Sequence, residues 1–139
     1  MREAHHALEV RTRGRGLHLF TGEVAAWLSR QKVADGLLTV FIQHTSASLL
    51  IQENADPDVC DDLDRFLSAL VKDGDPMFAH QSEGPDDMAA HVRAALTQTH
   101  LSIPVIGGSL ALGTWQGLYV FEHRRAAQVR RVVLQYLGS

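Results

Sequence analysis

A short apolar run that ends in a dense polar segment is the feature that most constrains the fold. The run, residues 37–42 (Leu-Leu-Thr-Val-Phe-Ile), is apolar on both alternating faces, which predicts a central strand covered on both sides. Residues 43–62 then carry a histidine, three hydroxyls, a glutamate, an asparagine and several aspartates. Burying such groups costs free energy unless each finds a partner. The segment therefore predicts a functional site at the end of a strand.

The periodicity of the rest of the chain predicts strands at both ends and helices mainly in the middle. Strands are predicted over residues 5–12, 16–20, 37–43, 49–51, 101–106, 109–112, 117–122 and 129–137. Helices are predicted over about fifteen residues from Thr21, from Pro57 onward, and over residues 86–98. This order predicts a single compact α+β domain over residues 1–139, with a mixed or antiparallel β-sheet and packed helices.

Local signals give the expected ends of several elements. Thr21 is a suitable N-cap for the first helix, and Gly36 is a suitable terminator. A turn over residues 45–48 is expected to join two strands as a hairpin, and residues 107–108 (Gly-Gly) form a second hairpin signal. Asp56 followed by proline predicts a capped helix start. The stripe expected to form the buried face of that helix is Val59, Leu63, Phe66, Leu67 and Leu70.

Composition excludes several classes of function. The net charge of −3 argues against a polyanion binder, so we expect no nucleic-acid partner. No apolar run is long enough to span a bilayer, so we expect no membrane role. The single cysteine, Cys60, has no partner for an intrachain disulfide, and the first residues show no signal-peptide core. We expect a cytoplasmic protein.

Three histidines are candidate ligands for a divalent metal. His44 follows the inward-facing positions of the apolar run, His80 lies in a predicted loop, and His91 borders the apolar side of a helix. Together they can converge on a metal and leave one position open for water or substrate. The alternative is that each is a hydrogen-bonded structural histidine. Zn²⁺ suits the imidazoles, and Mg²⁺ suits neighbouring carboxylates together with a phosphorylated substrate.

Further candidates lie on either side of these histidines. Glu53, Asn54 and Asp62 offer carboxylate or amide groups, although Asp56 and Asp86 are more simply explained as helix caps. The stretch 113–117 (Gly-Thr-Trp-Gln-Gly) brackets an indole and an amide with two glycines. Its tryptophan can stack on a flat heteroaromatic ring while the glutamine contacts the ring edge. Burial of that tryptophan in a core or a subunit interface is the alternative.

Several stretches, in the same order along the chain, closely resemble the YjbQ family. They are residues 44–49 (His-Thr-Ser-Ala-Ser-Leu), 53–57 (Glu-Asn-Ala-Asp-Pro), 83–88 (Glu-Gly-Pro-Asp-Asp-Met) with His91, and 113–117. Residues 122–124 (Glu-His-Arg) are similar to the bacterial branch. The resemblance implies a homotrimer with a polar, metal-binding pocket. It also implies secondary thiamine-phosphate synthase activity, in which an aminopyrimidine-methyl diphosphate joins a thiazole phosphate and releases pyrophosphate.

The residues and the resemblance together give one set of expected site residues. The expected catalytic residues are His44, Glu53, Asn54, Asp62 and His91. The expected substrate-binding residues are Thr45, Ser46, Arg93, Thr114, Trp115, Gln116 and Arg124. The expected metal ligands are His44, His80 and His91.

The leading hypothesis for function is a transferase resembling thiamine-phosphate synthase, acting on phosphorylated small molecules as a main or a side activity. The first alternative is a metal-dependent hydrolase of a phosphorylated small molecule that uses the same pocket. The second is a non-catalytic trimer that binds a small ligand.

Overall fold

Two antiparallel β-sheets and three helices make up the computed structural model, which describes residues 1–139. The strands are β1 (Arg2–Arg11), β2 (Gly16–Leu19), β3 (Gly36–Ile42), β4 (Ala47–Glu53), β5 (His100–Ile106), β6 (Ser109–Leu110), β7 (Gln116–Glu122) and β8 (Val129–Gly138). The helices are α1 (Thr21–Gln31), α2 (Pro57–Leu70) and α3 (Asp87–Leu96). The predicted α+β class is confirmed. None of the helices is both long and apolar enough to cross a membrane.

The core lies between the two sheets and α1. The larger sheet has the strand order β1-β8-β3-β5-β6, and the smaller has the order β2-β7-β4. On β3, Leu38, Val40 and Ile42 point into the core, and none is more than 1% exposed. Full burial of one such aliphatic side chain contributes about 1.5–3 kcal/mol. The alternation of these residues therefore fixes which face of β3 turns inward.

The opposite face of β3 is uncovered in the single chain. β3 is central, as predicted, because it pairs with both β5 and β8. The prediction of cover on both sides is wrong for one chain, since Leu37 and Phe41 are 43% and 45% exposed. Apolar periodicity shows that a face avoids water, but it does not show which molecule covers it. Leu37, Phe41, Ile106 and Leu137, which lie on this side of the sheet, are called the open sheet face below.

The chain changes sheet directly after β3. β4 pairs with β7 in the smaller sheet, so the predicted hairpin through residues 45–48 is wrong. Both strands bury apolar side chains in the common core, but from opposite sheets. As a result, the polar residues 43–46 lie where the chain crosses from one sheet to the other. The hairpin signal at residues 107–108 is confirmed by the pairing of Ile106 with Ser109.

Helix ends follow the sequence signals in part. The Asp56 carboxylate accepts a hydrogen bond from the backbone N–H of Asp58 at 2.9 Å, which confirms the predicted cap of α2. α1 begins at Thr21, but Phe20 occupies the N-cap position and the Thr21 hydroxyl accepts from the Leu118 N–H instead. α1 ends at Gln31, before a left-handed lysine, whereas the predicted terminator Gly36 begins β3.

The apolar stripe of α2 is only partly covered. Leu67 is buried, while Phe66 and Leu70 are 67% and 61% exposed. The prediction that the whole stripe faces the core is wrong for these two residues. The stripe is wider than the surface that the smaller sheet offers to α2.

We predict that Gly36→Ala destabilises the fold. An added Cβ at Gly36 meets the Tyr136 hydroxyl at 2.6 Å and the Gly138 Cα at 2.8 Å, so β3 and β8 have to move apart. The expected loss is about 1–3 kcal/mol in the free energy of unfolding, measured by urea denaturation. Gly22→Ala is the matched control, because nothing lies within 4 Å of a Cβ there. It lies in α1, where alanine is expected to add about 0.5–1 kcal/mol. If the Gly36→Ala variant is as stable as the native protein, the close approach of β3 and β8 at Gly36 is contradicted.

Candidate functional site

Helix α3 and the loop before it bring two histidines to one carboxylate. Asp87 and His91 lie four residues apart on α3, so their side chains meet on one face of the helix. The Asp87 Oδ2 atom lies 2.9 Å from His91 Nε2 and 2.7 Å from His80 Nε2. The ligand atoms of these three residues lie within 4.8 Å of one another, and this is the one such group in the structure. We call it the His–Asp–His cluster.

The chemistry of these donors fits a divalent metal. His91 Nδ1 lies 2.9 Å from the Thr45 carbonyl oxygen, to which it donates a proton. In the neutral imidazole, the lone pair of His91 Nε2 then faces a carboxylate oxygen, and a cation between the two relieves their repulsion. Two imidazoles and a carboxylate suit Zn²⁺ and similar metals, with positions left for water or substrate. The His80 and His91 side chains are 37% and 31% exposed, so the cluster is accessible from solvent.

Arg124 holds the Asp87 carboxylate in its orientation. Its Nη1 donates to Asp87 Oδ1 at 2.7 Å, and its Nε donates to Asp86 Oδ2 at 3.1 Å. Burial alone raises the pKa of Asp87, but the hydrogen bond from His80, the neighbouring His91 and the charge of Arg124 outweigh it and lower that pKa. Asp87 is therefore ionised at neutral pH, with Oδ2 turned toward the histidines. Asp86 occupies the N-cap position of α3, but its side chain makes no capping bond.

His44 lies beside the cluster rather than in it. Its Nε2 accepts a hydrogen bond from the Arg131 backbone N–H at 2.8 Å, and Arg130 Nη1 lies 3.3 Å from its Nδ1. Burial, and then the charge of Arg130, lower the pKa of His44. The structure thus joins His80 and His91 through Asp87, and does not assemble the three histidines predicted from the sequence. Asp87 was not among the expected site residues, although its spacing of four residues from His91 was visible in the sequence.

Two cavities flank the cluster. On the His91 side, a groove of about 310 Å³ is lined by His44, Thr45, His91, Ala94, Ala95 and Thr99. On the His80 side, a cavity of about 290 Å³ is lined by Gly74, Asp75, Phe78, His80, Gln81, Gly84, Pro85 and Met88. Each is close to the lower limit of small-ligand pockets. The arrangement therefore offers two small compartments, one beside each histidine of the His–Asp–His cluster.

The two arginines expected to bind substrate are engaged within the protein. Arg93 is 1% exposed, and its guanidinium donates to Asp73 Oδ1 and to the Val71 and His123 carbonyl oxygens. Arg124 is engaged by Asp86 and Asp87, as described above. Ser46 is also buried, and its hydroxyl accepts from Arg130 at 3.0 Å. Of the predicted substrate-binding residues near the cluster, Thr45 lines the groove.

A second group of predicted residues lies at the far end of the smaller sheet. In the pairing of β4 with β7, Ala47 is opposite Glu122, whereas Glu53 is opposite Gln116. Six residues of extended strand separate these ends, a distance of about 20 Å. The structure therefore does not bring Glu53 and its neighbours to the cluster of the same chain.

The far-end residues contact one another. The Asn54 side chain donates to the Gln116 carbonyl oxygen at 3.3 Å and, at 3.5 Å, to that of Thr114. The Gln116 side chain accepts from the Gly113 N–H at 2.7 Å, which closes the turn and leaves Trp115 62% exposed. Asp62 is exposed on α2, where it pairs with Arg65. We call residues 53–54 and 113–116 the far-end turn.

The largest cavity lies elsewhere and does not contain the cluster. It has a volume of about 870 Å³, and arginines and carboxylates both contribute to its walls, among them Arg11, Arg13, Asp61 and Asp64. The group of metal-capable side chains lies outside it. We therefore assign the functional site by the convergence of its chemical groups rather than by cavity size.

Comparison with known proteins identifies the family. The model of the family described as UPF0047 protein YjbQ-like matches residues 6–139. The chain belongs to this YjbQ family. A UPF0047 protein of Synechocystis is 46% identical over 138 residues, covering 99% of this chain and 94% of the relative. The UPF0047 protein YjbQ of Escherichia coli O157:H7 is 39% identical over 133 residues, covering 95% of this chain and 96% of the relative.

Solved structures show the same fold. A hypothetical protein of Aeropyrum pernix superposes with a TM-score of 0.89 at 34% identity, covering 98% of this chain and 99% of that one. A conserved hypothetical protein of Thermus thermophilus gives a TM-score of 0.84 at 36% identity, covering 94% of this chain and 98% of that one. The two-sheet architecture is therefore shared within the YjbQ family.

We predict that metal affinity depends on Asp87 and both cluster histidines. Asp87→Asn, His80→Ala and His91→Ala each remove one donor, so Co²⁺ or Zn²⁺ affinity is expected to fall by more than the roughly 10–100-fold that loss of a supporting residue costs. Isothermal titration calorimetry of each purified variant measures this loss. His44→Ala removes no donor of the cluster and is expected to weaken binding less than any ligand variant. If His44→Ala abolishes binding while Asp87→Asn retains it, the ligand set is wrong.

Proposed function

We propose that this YjbQ-family protein is a metal-dependent transferase. It joins an aminopyrimidine-methyl diphosphate to a thiazole phosphate, forming thiamine phosphate and releasing pyrophosphate, as a main or a side activity. The observation that carries the proposal is the accessible His–Asp–His cluster with one small cavity on each side. A reaction between two ring-bearing substrates needs two compartments that meet at the reacting atoms.

The reaction sets clear demands on the site. The bond between the pyrimidine methylene carbon and the diphosphate oxygen breaks, and the electron pair leaves with pyrophosphate. The thiazole nitrogen then forms the new bond to that carbon. A divalent metal, when bound, stabilises the negative charge that develops on the leaving diphosphate. His80, His91 and Asp87 are the residues that would hold it, and Arg124 keeps the Asp87 carboxylate turned toward both histidines.

Each cavity suits a different substrate. Phe78, Pro85 and Met88 give the cavity beside His80 an apolar wall for a flat ring. The groove beside His91 has Ala94, Ala95 and the His44 ring in its wall, which suits the thiazole ring. We assign the pyrimidine ring to the first cavity and the thiazole phosphate to the second. Their phosphates would then lie beside the His–Asp–His cluster, between the two cavities.

Metal-dependent hydrolysis of a phosphorylated small molecule is the second candidate. The exposure of His80 and His91 favours it, because solvent reaches the cluster directly. Phosphate release without a thiazole co-substrate distinguishes hydrolysis from transfer. A non-catalytic protein that binds a small ligand is the third candidate, and retention of cellular function after His91→Ala distinguishes it.

We also propose that the protein self-associates as a homotrimer through the open sheet face. Leu37, Phe41, Ile106 and Leu137 are each 43–64% exposed on one side of the larger sheet. Apolar side chains grouped on one exposed surface mark an interaction site more often than a solvated one. A second copy of the chain supplies the cover that the apolar pattern of β3 requires. We place this assembly in the cytoplasm, since its free Cys60 suits a reducing compartment.

The transferase proposal predicts a defined product. Purified protein with Mg²⁺ or Zn²⁺, the pyrimidine diphosphate and the thiazole phosphate is expected to form thiamine phosphate and pyrophosphate in equal amounts, measured by chromatography. Asp87→Asn is expected to lose this activity by about 100-fold or more, because the metal ligand is removed. Arg65→Ala, on the exposed surface of α2, is the control and keeps full activity. Product formation by Asp87→Asn at the native rate refutes the assignment.

The self-association proposal is tested by charge substitution. The native protein is expected to have three times the mass of one chain by light scattering after size-exclusion chromatography. Leu37→Glu places a carboxylate in the open sheet face, so that this variant is expected to elute as a monomer. Phe66→Glu is the matched control, because Phe66 is exposed on α2 outside that face. A Leu37→Glu variant that remains trimeric shows that another surface forms the contact.

A further inference from the structure

Glu122, at the end of β7, is a carboxylate with no solvent exposure. It accepts hydrogen bonds from the Thr12 hydroxyl, from Nε and Nη2 of Arg130, and from the backbone N–H groups of His123 and Arg124. An ionised carboxylate is retained in a protein interior only when its partners satisfy it this fully. Glu122 is absent from the site residues expected from the sequence, and it makes no contact with the His–Asp–His cluster itself.

One set of these bonds leads to Asp87. Glu122 Oε2 accepts from the N–H groups of His123 and Arg124 at 3.1 Å each, which fixes the backbone where β7 ends. The Arg124 side chain starts from this point and reaches Asp87 Oδ1 at 2.7 Å. The position of the Asp87 carboxylate therefore depends on the backbone that Glu122 holds.

A second set leads to His91. Arg130, held by Glu122, donates from Nη2 to the Ser46 carbonyl oxygen at 3.2 Å and to its hydroxyl at 3.0 Å. Thr45 precedes Ser46, and its carbonyl oxygen accepts the His91 Nδ1 proton at 2.9 Å. This contact selects the tautomer that leaves His91 Nε2 free for a metal. The segment that crosses between the two sheets therefore helps to orient the His91 ring.

We propose that Glu122 is a positioning residue for the metal centre, holding Asp87 through Arg124 and His91 through Arg130. The inference rests on the proposed metal site and adds the group that orients it from both sides. One buried carboxylate at the end of β7 therefore aligns two candidate ligands that lie on α3. Loss of this group changes how tightly and in what geometry the metal binds, even when the fold persists.

The test uses Co²⁺, whose visible absorption reports its coordination geometry. The first variant is the double substitution Glu122→Gln with Arg130→Met, since removal of Glu122 alone leaves Arg130 charged and buried. The second is Glu122→Asp, which keeps both charges but shortens the carboxylate by one methylene. Each is expected to bind Co²⁺ about 10–100-fold more weakly than the native protein, with a changed visible band. Circular dichroism and thermal unfolding show which variants are folded. If the double variant is unfolded, the Co²⁺ binding of Glu122→Asp alone tests the proposal.

Tyr136→Phe is the matched control. It removes a buried hydroxyl that donates to the Asp35 and Ser139 carbonyl oxygens at the other end of β8. We expect it to lower the melting temperature without changing Co²⁺ affinity by more than about twofold, a change near the limit of measurement. If folded Glu122 variants bind Co²⁺ with native affinity and spectrum, Glu122 has no positioning role. If the native protein binds no Co²⁺, the metal site itself is refuted, and the inference with it.

Discussion

The pairing of buried charges where the two sheets meet is the constraint on which the rest of the structure depends. Glu122 and Arg130 lie between the sheets, with 0% and 4% exposure. Arg93, which donates to the carbonyl oxygen of the adjacent His123, is buried against Asp73. Each of these charges is costly to remove from water unless its partner stays in place. The result is a junction with little freedom to rearrange, since movement of any one member leaves another charge unpaired.

His123, which lies at this junction, shows how strongly burial and neighbouring charges affect the pKa of a side chain. His123 is fully buried, and its Nε2 lies 2.8 Å from the Ser48 hydroxyl oxygen. Burial, and then the nearby charges of Arg93 and Arg130, lower the pKa of His123 to about 3. The ring is therefore neutral near pH 7 and adds no further positive charge among the arginines. The cluster histidines lie at the edge of this region instead, where their side chains are accessible to solvent.

Local signals in the sequence predicted individual elements better than their partners. The Asp56 cap, the hairpin at residues 107–108 and the inward face of β3 each depend on neighbouring residues, and the structure has all three. The change of sheet between β3 and β4 depends on which distant strand each one meets, and no local pattern records that choice. Asp87 shows the same limit within the site. No local pattern separated it from the neighbouring carboxylates, because its role beside His80 depends on how the preceding loop folds back.

The separation of the far-end turn from the cluster limits what one chain can do alone. Glu53 and Trp115 lie about 20 Å from the end of β7 that carries Arg124, because the β4–β7 pairing holds the two ends apart. No rotation of side chains closes that distance. In a cyclic assembly with head-to-tail contacts, however, one end of a subunit faces the opposite end of the next. The acidic start of α2 beside the far-end turn, with Asp56 and Asp58, also complements the exposed Arg131 near His44. In the trimer proposed above, contacts of this kind would make the polar residues at both ends of the smaller sheet parts of one site formed between subunits.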